Sequence, residues 1–372
     1  MIAVIPWPLV LKRDKNEPGL TGFSTRIESG WYTPASRQRL HFHVNTSSTN
    51  EPAVSTEPIV ESSGPTPRPV HRAVLLTEVM EWLAPSEGKI LVDGTAGAGG
   101  HTRALAERLG DTGRVIAIDR DPAMLALAAE AARGLPVTFV ASPYREMREV
   151  LNDLGIIRVD GVLLDVGLSS DQLAWTHRGF SFAQDGPLDM RFDPGSGAAS
   201  AADLVNTFDE QELARIFFEY GEERYSRRIA RRIVESRPIE TTGRLAEIVR
   251  RSIPGKWGPI DPATRVFQAL RIAVNDELSH LESTLALLPD VLKAGGRAAV
   301  ISFHSLEDRR VKHAFRDDPR LNVLTRKPIT ASPEELASNP RARSAKLRVA
   351  ERCPIQAGPT TTPSPPKKGK AR

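Results

Sequence analysis

The chain has 372 residues, of which 40% are hydrophobic and 26% charged, as is typical of a globular protein that folds in water. Its formal net charge of +4 permits a nucleic-acid partner but does not require one. The single cysteine, Cys353, excludes an internal disulfide framework and a cysteine-based zinc site, so we expect a cytoplasmic protein. No apolar run approaches the roughly 20 residues that span a bilayer, so we expect no membrane segment.

The two ends of the chain differ in composition from the rest. Residues 1–68 are rich in Ser, Thr, Pro and Asn and have no sustained hydrophobic period, and residues 353–372 form a basic, proline-containing tail. Such segments bury too little apolar surface to offset the entropy lost on ordering. We therefore predict that both are disordered. The apolar residues 1–11 contain two prolines and have no preceding basic stretch, so we do not expect a signal peptide.

Between these ends, the chain first alternates strand and helix patterns. The strand patterns are short and apolar on both faces, which is typical of a parallel sheet covered by helices on both sides. We therefore predict an α/β fold with a Rossmann-like sheet. The predicted strands are 89–93, 114–119, 137–140 and 159–165, and the predicted helices between them are 102–109, 122–133 and 147–154.

The alternation stops after residue 172. Residues 173–285 show helical periodicity without convincing strands, and an apolar strand pattern returns at 297–303. The simplest architecture is a sheet domain formed by 69–172 and 286–352, interrupted by an all-helical insertion at 173–285. The helices predicted in the insertion are 210–220, 225–236, 245–251 and 263–285.

Three of the predicted strands end in an acidic residue: Asp93, Asp119 and Asp165. Open α/β sheets bind ligands beyond the carboxyl ends of their strands. A single acid at a strand end is often only a helix cap. Three such acids beside the glycine-rich turn at 93–101 favour a ligand site.

The turn lacks the features of two common nucleotide sites. Gly97 and Gly99 are not followed by the third glycine of a dinucleotide fingerprint, and the chain has no phosphate-binding G-x-x-x-x-G-K-[ST] loop. Asp119 lies about 20 residues past the turn, where a carboxylate accepts hydrogen bonds from ribose hydroxyls. This combination suits an adenosine joined to a sulfonium amino acid, namely S-adenosylmethionine. A dehydrogenase remains a weaker alternative.

Longer motifs make the assignment more specific. They include Asp93-Gly94-Thr95, Leu164-Asp165-Val166-Gly167-Leu168, Asp185-Gly186-Pro187-Leu188-Asp189-Met190-Arg191 and Ser302-Phe303-His304-Ser305-Leu306-Glu307-Asp308-Arg309. Further motifs lie at 71–76, 178–182, 221–223, 264–271, 275–278 and 341–348. Through these motifs, residues from about 70 to 352 resemble the bacterial small-subunit ribosomal RNA (cytosine-N4)-methyltransferases, and residues 1–68 have no counterpart in that family.

The resemblance implies a class I methyltransferase fold, a cofactor and a substrate. The cofactor would be S-adenosylmethionine, and the substrate would be the exocyclic N4 amine of a decoding-centre cytidine in 16S rRNA of the small ribosomal subunit. Tyr144 stands where the family commonly has Phe, so an aromatic ring beside the adenine is kept. The cofactor residues that the resemblance implies are Gly99, Gly100, His101, Asp119, Tyr144, Asp165 and Gln172.

Methyl transfer from a sulfonium is an in-line displacement, in which positioning dominates, so we expect no metal site. The cytosine amine is a poor nucleophile because its lone pair is delocalised into the ring. A hydrogen-bond acceptor on that amine localises the lone pair as the new bond forms. Our hypothesis is that Asp165 is this acceptor, with the carbonyls of Val166 and Gly167 as alternatives. Amino-methyltransferases usually have a Pro-Pro-aromatic motif after this acid, whereas this chain has Val166-Gly167-Leu168.

Several side chains are candidates for RNA contacts. Phe180 and Phe182, with Trp175, stack on a flipped-out base in one interpretation and form the core of the insertion in the other. Arg227 and Arg231 lie on one side of a predicted helix, where they contact RNA phosphates or simply face solvent.

His304 lies just before a predicted helix, in a segment that could suggest a hydrolase or a metal site. We interpret the segment instead as a helix start that is capped by Ser305, with Asp308 completing the cap.

Two other functions remain open at this stage. One is a methyltransferase of the same fold that acts on DNA or a small molecule. The other is a catalytically silent RNA-binding or ribosome assembly factor, which would have no reason to keep Asp93, Asp119 and Asp165 beside the turn. The sequence does not predict an oligomeric state.

Overall fold

A computed structural model describes residues 3–5, 73–255 and 257–354. Eight strands form one sheet in the order β1-β4-β3-β2-β5-β6-β8-β7. The strands are β1 (Ala3–Ile5), β2 (Ile90–Asp93), β3 (Arg114–Asp119), β4 (Val137–Ala141), β5 (Val159–Asp165), β6 (Leu292–Ser302), β7 (Leu321–Val323) and β8 (Lys346–Arg352).

The five central strands, β4-β3-β2-β5-β6, run parallel. β8 pairs antiparallel with β6, and β7 pairs antiparallel with β8. Apolar residues of the central strands are fully buried, as for Val92, Ile116 and Val162, because helices cover both faces. The predicted α/β class with a Rossmann-like sheet is confirmed. The chain order reverses at β2, so the crevice between the ends of β2, β3 and β5 is the expected ligand position.

Helices follow the strands much as the sequence predicts. The helix after β3 begins at Pro122, and the Asp121 side chain accepts a hydrogen bond from the backbone of Ala123. Proline is tolerated at this position because the first amide of a helix has no partner within it. The helices are α1 (Leu76–Leu83), α2 (Gly100–Leu109), α3 (Pro122–Ala131), α4 (Met147–Asp153), α5 (Ser170–Ala174), α6 (Ala201–Thr207), α7 (Glu210–Gly221), α8 (Ser226–Glu235), α9 (Thr242–Ser252), α10 (Ala263–Asn275), α11 (Glu277–Val291), α12 (Ser305–Asp317) and α13 (Pro333–Ser338).

The first strand departs from the prediction for the amino-terminal segment. Ala3–Ile5 pairs antiparallel with β4 at the edge of the sheet, so the prediction of disorder is wrong for these three residues. Backbone pairing of this kind depends on the open edge of β4, which sequence composition does not reveal. The rest of 1–68, and the tail beyond residue 354, lie outside the described residues.

Helices α6 to α10 enclose a hydrophobic core of their own, which includes Phe217, Ile229 and Leu270. The predicted helix 263–285 is in fact two helices, because Asp276 adopts a left-handed backbone conformation with φ 48°. The second of them, α11, packs against the sheet through residues such as Leu285 and Leu288. The chain therefore changes at Asp276 from packing in the insertion to packing against the sheet. The predicted end of the insertion at residue 285 lies inside α11.

In the ranges that the structure describes, no helix is both long and apolar enough to cross a membrane.

Candidate functional site

The glycine-rich turn joins β2 to α2 and forms one wall of a cleft. Gly99 has φ 88°, and a Cβ atom there would lie 2.8 Å from the Ala128 Cα atom on α3. Only glycine fits this position, because a side chain would have both a strained backbone and a backbone clash. A Cβ atom at Gly100 would lie 3.1 Å from the Ala73 Cβ atom. Gly100 lines the cleft together with Gly94 and Gly97, whereas Gly99, although predicted as a cofactor residue, faces α3 and does not line it.

Asp93 stabilises the glycine-rich turn through hydrogen bonds on the side away from the cleft, and it does not line the cleft. Its carboxylate accepts hydrogen bonds from the Thr102 hydroxyl at 2.6 Å and from the Thr95 backbone N–H at 3.2 Å. Burial raises its pKa to about 6, and these bonds oppose the shift. Of the three strand-end acids, Asp93 therefore has a structural role, whereas Asp119 and Asp165 face the cleft.

Asp119 ends β3 beside the turn. Its Oδ2 atom accepts a hydrogen bond from the Gly97 backbone and its Oδ1 atom from the Asp121 backbone, both at 2.9 Å. Burial raises the pKa of Asp119 to about 6. Each carboxylate oxygen has two lone pairs, so each has one acceptor position left beyond these bonds. That geometry suits two hydroxyl donors, as a ribose supplies.

Asp165 ends β5, next to the turn on its other side. Its backbone N–H donates to the Thr95 hydroxyl at 2.6 Å. Within the described part of the chain, no donor reaches its buried Oδ1 atom. Burial raises the pKa of Asp165 to about 8, and the charge of Asp93 adds to the shift. An acceptor without a partner in a buried cleft is costly to the free protein and is often a functional atom.

His101 and Tyr144, two of the predicted cofactor residues, also line the cleft. The His101 Nε2 atom donates to the Val74 carbonyl at 3.0 Å. Tyr144, in a one-turn helix at Tyr144–Glu146, meets the His280 ring edge-on at 6.4 Å between centroids. Burial raises the pKa of Tyr144 well above its usual value, so the ring is neutral.

Gln172 lines the cleft, yet its amide is also used to build the fold. Its Oε1 atom accepts from the Ser169 backbone at 3.1 Å, which caps α5, and its Nε2 atom donates to Asp121 at 2.8 Å. The side chain is buried, with 4% of its surface exposed. Its amide contacts give it a structural role, and its part in cofactor binding stays a prediction.

The two phenylalanines predicted to stack on a base lie in the core of the insertion. Phe180 is buried and packs on Phe192, with 5.3 Å between ring centroids. Phe182 packs edge-on against Phe267 at 4.8 Å. Neither lines the cleft, so the structure favours the core interpretation for both.

Arg227 and Arg231 lie on the exposed side of α8. Arg231 lies 3.6 Å from a carboxylate oxygen of Glu210. Among the described residues, Arg227 forms no such ion pair. The two arginines are therefore not equivalent as candidates for a phosphate contact.

Several cleft residues were not predicted as site residues. Arg341, from the short helix Pro340–Ser344, donates to the Leu168 carbonyl at 2.6 Å and to the Ser170 hydroxyl, and the side chain also borders Asp165. The motif at 341–348 was the signal that could have identified it. Other unpredicted residues of the cleft include Arg120, Phe192, Glu277, Phe303 and Glu307.

The start of α12 differs in detail from the prediction. His304, not Ser305, caps the helix, and its partner is Glu307, not Asp308. Burial alone would raise the pKa of Glu307, but the hydrogen bond and charge of His304, the charge of Arg271 and a bond from the Phe303 backbone at 2.8 Å hold this pKa below its usual value. Asp308 instead pairs with Arg348 on β8 at 2.6 Å.

The cleft opens to solvent, and the space between its walls, counted out to the protein surface, is about 1040 Å³. In the described ranges, no cluster of His, Cys, Asp or Glu side chains is arranged to hold a metal ion. Bare turn backbone, the two open positions of Asp119 and the unpartnered oxygen of Asp165 together fit S-adenosylmethionine.

Comparison with known proteins agrees with this fit. A "Ribosomal RNA small subunit methyltransferase H" of Deinococcus deserti is 53% identical over 291 residues, covering 77% of this chain and 95% of that protein. Its namesakes in Deinococcus radiodurans and Magnetococcus marinus are 51% identical over 319 residues (85% and 100% covered) and 49% identical over 310 residues (76% and 98% covered).

A solved rRNA methylase from Streptococcus thermophilus aligns with a TM-score of 0.36 and 10% identity over 75% of this chain and 94% of that one, which is too distant to support a function. The family model of the MraW methylases matches residues 68–353, the part of the chain in which the motifs lie. The resemblance found in the motifs is thereby confirmed, and the predicted cofactor with it. The chain therefore belongs to the MraW methylase family and is an S-adenosylmethionine-dependent methyltransferase.

Proposed function

We propose that this protein methylates the exocyclic N4 amine of a decoding-centre cytidine in 16S rRNA, within the small ribosomal subunit. Two lines of support meet in this proposal. Relatives that share 49–53% of their residues with it are named small-subunit ribosomal RNA methyltransferases. The cleft of this chain has an acceptor, Asp165, next to the proposed cofactor turn.

The observation that carries the chemistry is the unpartnered Oδ1 atom of Asp165. An amine that attacks a methyl group must present its lone pair and then lose a proton. A buried carboxylate oxygen without a donor accepts a hydrogen bond from such an amine at no cost to an existing bond. The raised pKa of Asp165, about 8, suits a group that takes up a proton near neutral pH.

The cofactor, when bound, supplies an electrophilic methyl group on a sulfonium sulfur. We assign its ribose hydroxyls to Asp119, which has one open acceptor position on each oxygen. The ring of Tyr144 flanks the adenine. We assign the remaining cofactor contacts to Gly99, Gly100, His101, Asp165 and Gln172.

In the transfer, one N–C bond forms and one S–C bond breaks, and the amine nitrogen gives up one proton. Asp165 orients the amine, and its carboxylate accepts that proton. Positioning supplies most of the rate enhancement in such a displacement. The carbonyls of Val166 and Gly167 are alternative acceptors, since the Pro-Pro-aromatic motif of other amino-methyltransferases is absent.

We assign recognition of the RNA to the helical insertion. Helix α8 exposes four arginines, of which Arg232 pairs with Glu235 and Arg231 lies near Glu210. Arg227 lacks a carboxylate partner among the described residues, which leaves its charge available to a phosphate. Of the two predicted arginines, Arg227 is therefore our preferred candidate for the phosphate contact.

Two experiments test the function. Mass spectrometry of nucleosides from small-subunit rRNA should show the loss of one N4-methylcytidine in a strain that lacks this gene. The purified protein should methylate small subunits isolated from that strain but not duplex DNA. Methylation of DNA or of a small molecule instead would overturn the substrate assignment. Cofactor binding without methylation of any RNA would indicate the silent assembly factor.

A further inference from the structure

Two buried side chains connect the acid that we assign to the ribose with the helical insertion. Asp121, two residues after Asp119, donates its backbone N–H to Asp119 at 2.9 Å. The side chain of Asp121, only 2% exposed, accepts at Oδ2 from Gln172 at 2.8 Å and from Arg178 at 3.0 Å. Two charge-assisted hydrogen bonds to this buried carboxylate fix the position of Asp121. They therefore also fix the Asp121 backbone N–H that donates to Asp119.

Arg178 extends this connection into the insertion. Its guanidinium is buried and also donates to the carbonyls of Arg191 and Phe192, at 3.1 and 2.7 Å. The backbone carbonyl of Arg178 accepts from the Met190 amide at 2.9 Å. One side chain therefore joins the acid next to the cofactor site to the segment 190–192, and the ring of Phe192 itself lines the cleft.

Arg120, which lies between Asp119 and Asp121 in the chain, holds the segment 190–192 through a second set of contacts. The Arg120 guanidinium lies 4.0 Å from the centre of the Phe192 ring and donates to the Asn275 carbonyl at 3.1 Å. The side chain of Asn275 accepts from the Phe192 amide at 2.9 Å and donates to the Met190 carbonyl at 2.7 Å. Met190 has φ 62°, a left-handed backbone conformation that residues other than glycine rarely adopt without support from their surroundings.

We propose that Arg178 is a positioning residue: through its ion pair with Asp121 it fixes Asp119 for the cofactor, and it couples cofactor binding to the order of segment 190–192 of the insertion. The inference rests on the ribose role proposed for Asp119. It does not depend on which molecule accepts the methyl group.

Calorimetric titration of the full chain with S-adenosylhomocysteine tests the positioning. The Arg178→Met substitution leaves Asp121 buried without its cation. We expect the Kd for S-adenosylhomocysteine to rise about 10-fold or more, which is the effect expected when a hydrogen bond to a charged group is lost. The control Arg297→Met breaks an ion pair with Glu351 in β6 and β8, away from the cleft, and should change the Kd by less than about 2-fold. Equal Kd values for wild type and Arg178→Met would overturn the inference. A loss of affinity in Arg297→Met as large as that in Arg178→Met would also overturn it.

Two further measurements separate the possible failures. If Arg178→Met does not fold, Asp121→Asn, which keeps the size of the side chain, should weaken binding in the same direction. If Asp119→Asn binds S-adenosylhomocysteine normally, the ribose assignment itself fails. If Asp119→Asn binds poorly and Arg178→Met binds normally, only the positioning role fails.

Amide hydrogen exchange tests the coupling. Adding S-adenosylhomocysteine should slow exchange at Met190 and Phe192 in the wild type, because their amides are bonded to the Arg178 carbonyl and to Asn275. In Arg178→Met, S-adenosylhomocysteine at a saturating concentration should slow exchange at Met190 and Phe192 less than it does in the wild type. Equal protection in both proteins would contradict the coupling.

Discussion

The His101 Nδ1 atom lies 3.6 Å from the Asp165 Oδ2 atom, so the end of the glycine-rich turn faces the acid that ends β5. The other ring nitrogen of His101 donates to the Val74 carbonyl. Because a carbonyl only accepts, this bond places the proton of a neutral ring on Nε2 and leaves Nδ1 as an acceptor. Burial raises the pKa of Asp165 to about 8, so at neutral pH most of the free protein carries a proton on this carboxyl, and the ionised fraction is the one that can accept the proton of the amine.

Replacing Asp165 with Ala should lower the rate of methyl transfer about 100-fold or more, because the amine loses its acceptor and its proton loses its destination. Asp165→Asn keeps an acceptor oxygen but cannot take up the proton, so it should also be slow. Single-turnover methylation of isolated small subunits, at saturating cofactor, measures this step. The Asn variant keeps the size of the side chain, so it controls for the space left by Ala. A normal rate in Asp165→Ala would reject the role of this carboxylate and favour the carbonyls of Val166 or Gly167.

The stability of the protein should depend on pH through Asp165. Its folded-state pKa of about 8 lies above the ordinary aspartate value of 3.8, so the folded state retains a proton that the unfolded state releases. The contribution of this carboxyl to stability is therefore complete below pH 3.8 and is lost progressively as the pH rises towards about 8.

Asp165→Asn has no such proton to lose. Its melting temperature relative to the wild type should therefore rise steadily between about pH 5 and pH 8, measured without cofactor. The comparison of the two proteins at each pH cancels the titration of Asp119, which both proteins keep. The charge of Asp93 contributes to the raised pKa of Asp165, so its effect is part of the measured difference. A difference that does not change with pH would contradict the raised pKa.

Gly99→Ala should destabilise the turn and weaken cofactor binding. Its added Cβ atom would lie 2.8 Å from the Ala128 backbone, and its backbone has φ 88°. Gly134→Ala is the matched control, because Gly134 has φ 78° but nothing within 4 Å of its Cβ position. We expect the control to cost about 1–2 kcal/mol of unfolding free energy, and Gly99→Ala clearly more.

Denaturant titration measures the stability of both glycine variants, and calorimetry with S-adenosylhomocysteine measures their binding. Only Gly99→Ala should lose affinity. Equal stability losses in the two variants would mean that the turn relaxes around the added methyl group.

Arg227→Glu should weaken binding to small-subunit RNA and reduce the salt dependence of the binding constant by about one counterion contact. Arg231→Glu should have a smaller effect, since Arg231 already lies near Glu210. Binding measured at several salt concentrations gives both quantities. Arg316→Glu, an exposed charge reversal at the end of α12, controls for the change in net charge. Binding that is unchanged by Arg227→Glu would remove α8 from the RNA interface.

The sequence by itself determined the five parallel strands of the sheet and the glycine-rich turn, but not β1, β7 or β8. Strand β5 has the predicted bounds, because a run of buried β-branched and leucine residues that ends in an acid is a local signal. The turn before α2 was recognisable for the same reason: its glycines are required by backbone conformation within a few residues of each other. The motifs that lie in order along the chain identified the family, which the comparisons confirm.

Tertiary structure decided which of these residues face the cleft. Asp93 and Asp119 both end strands, yet packing places Asp93 beneath the turn and Asp119 beside it. The helix 263–285 was predicted as continuous because its hydrophobic period continues past Asp276, where the packing partner changes from the insertion to the sheet. Contacts between residues far apart in the chain made these choices, because burial and pairing energies depend on the partners that the fold brings together. Arg341, which reaches Leu168 across 173 positions of sequence, enters the site for that reason.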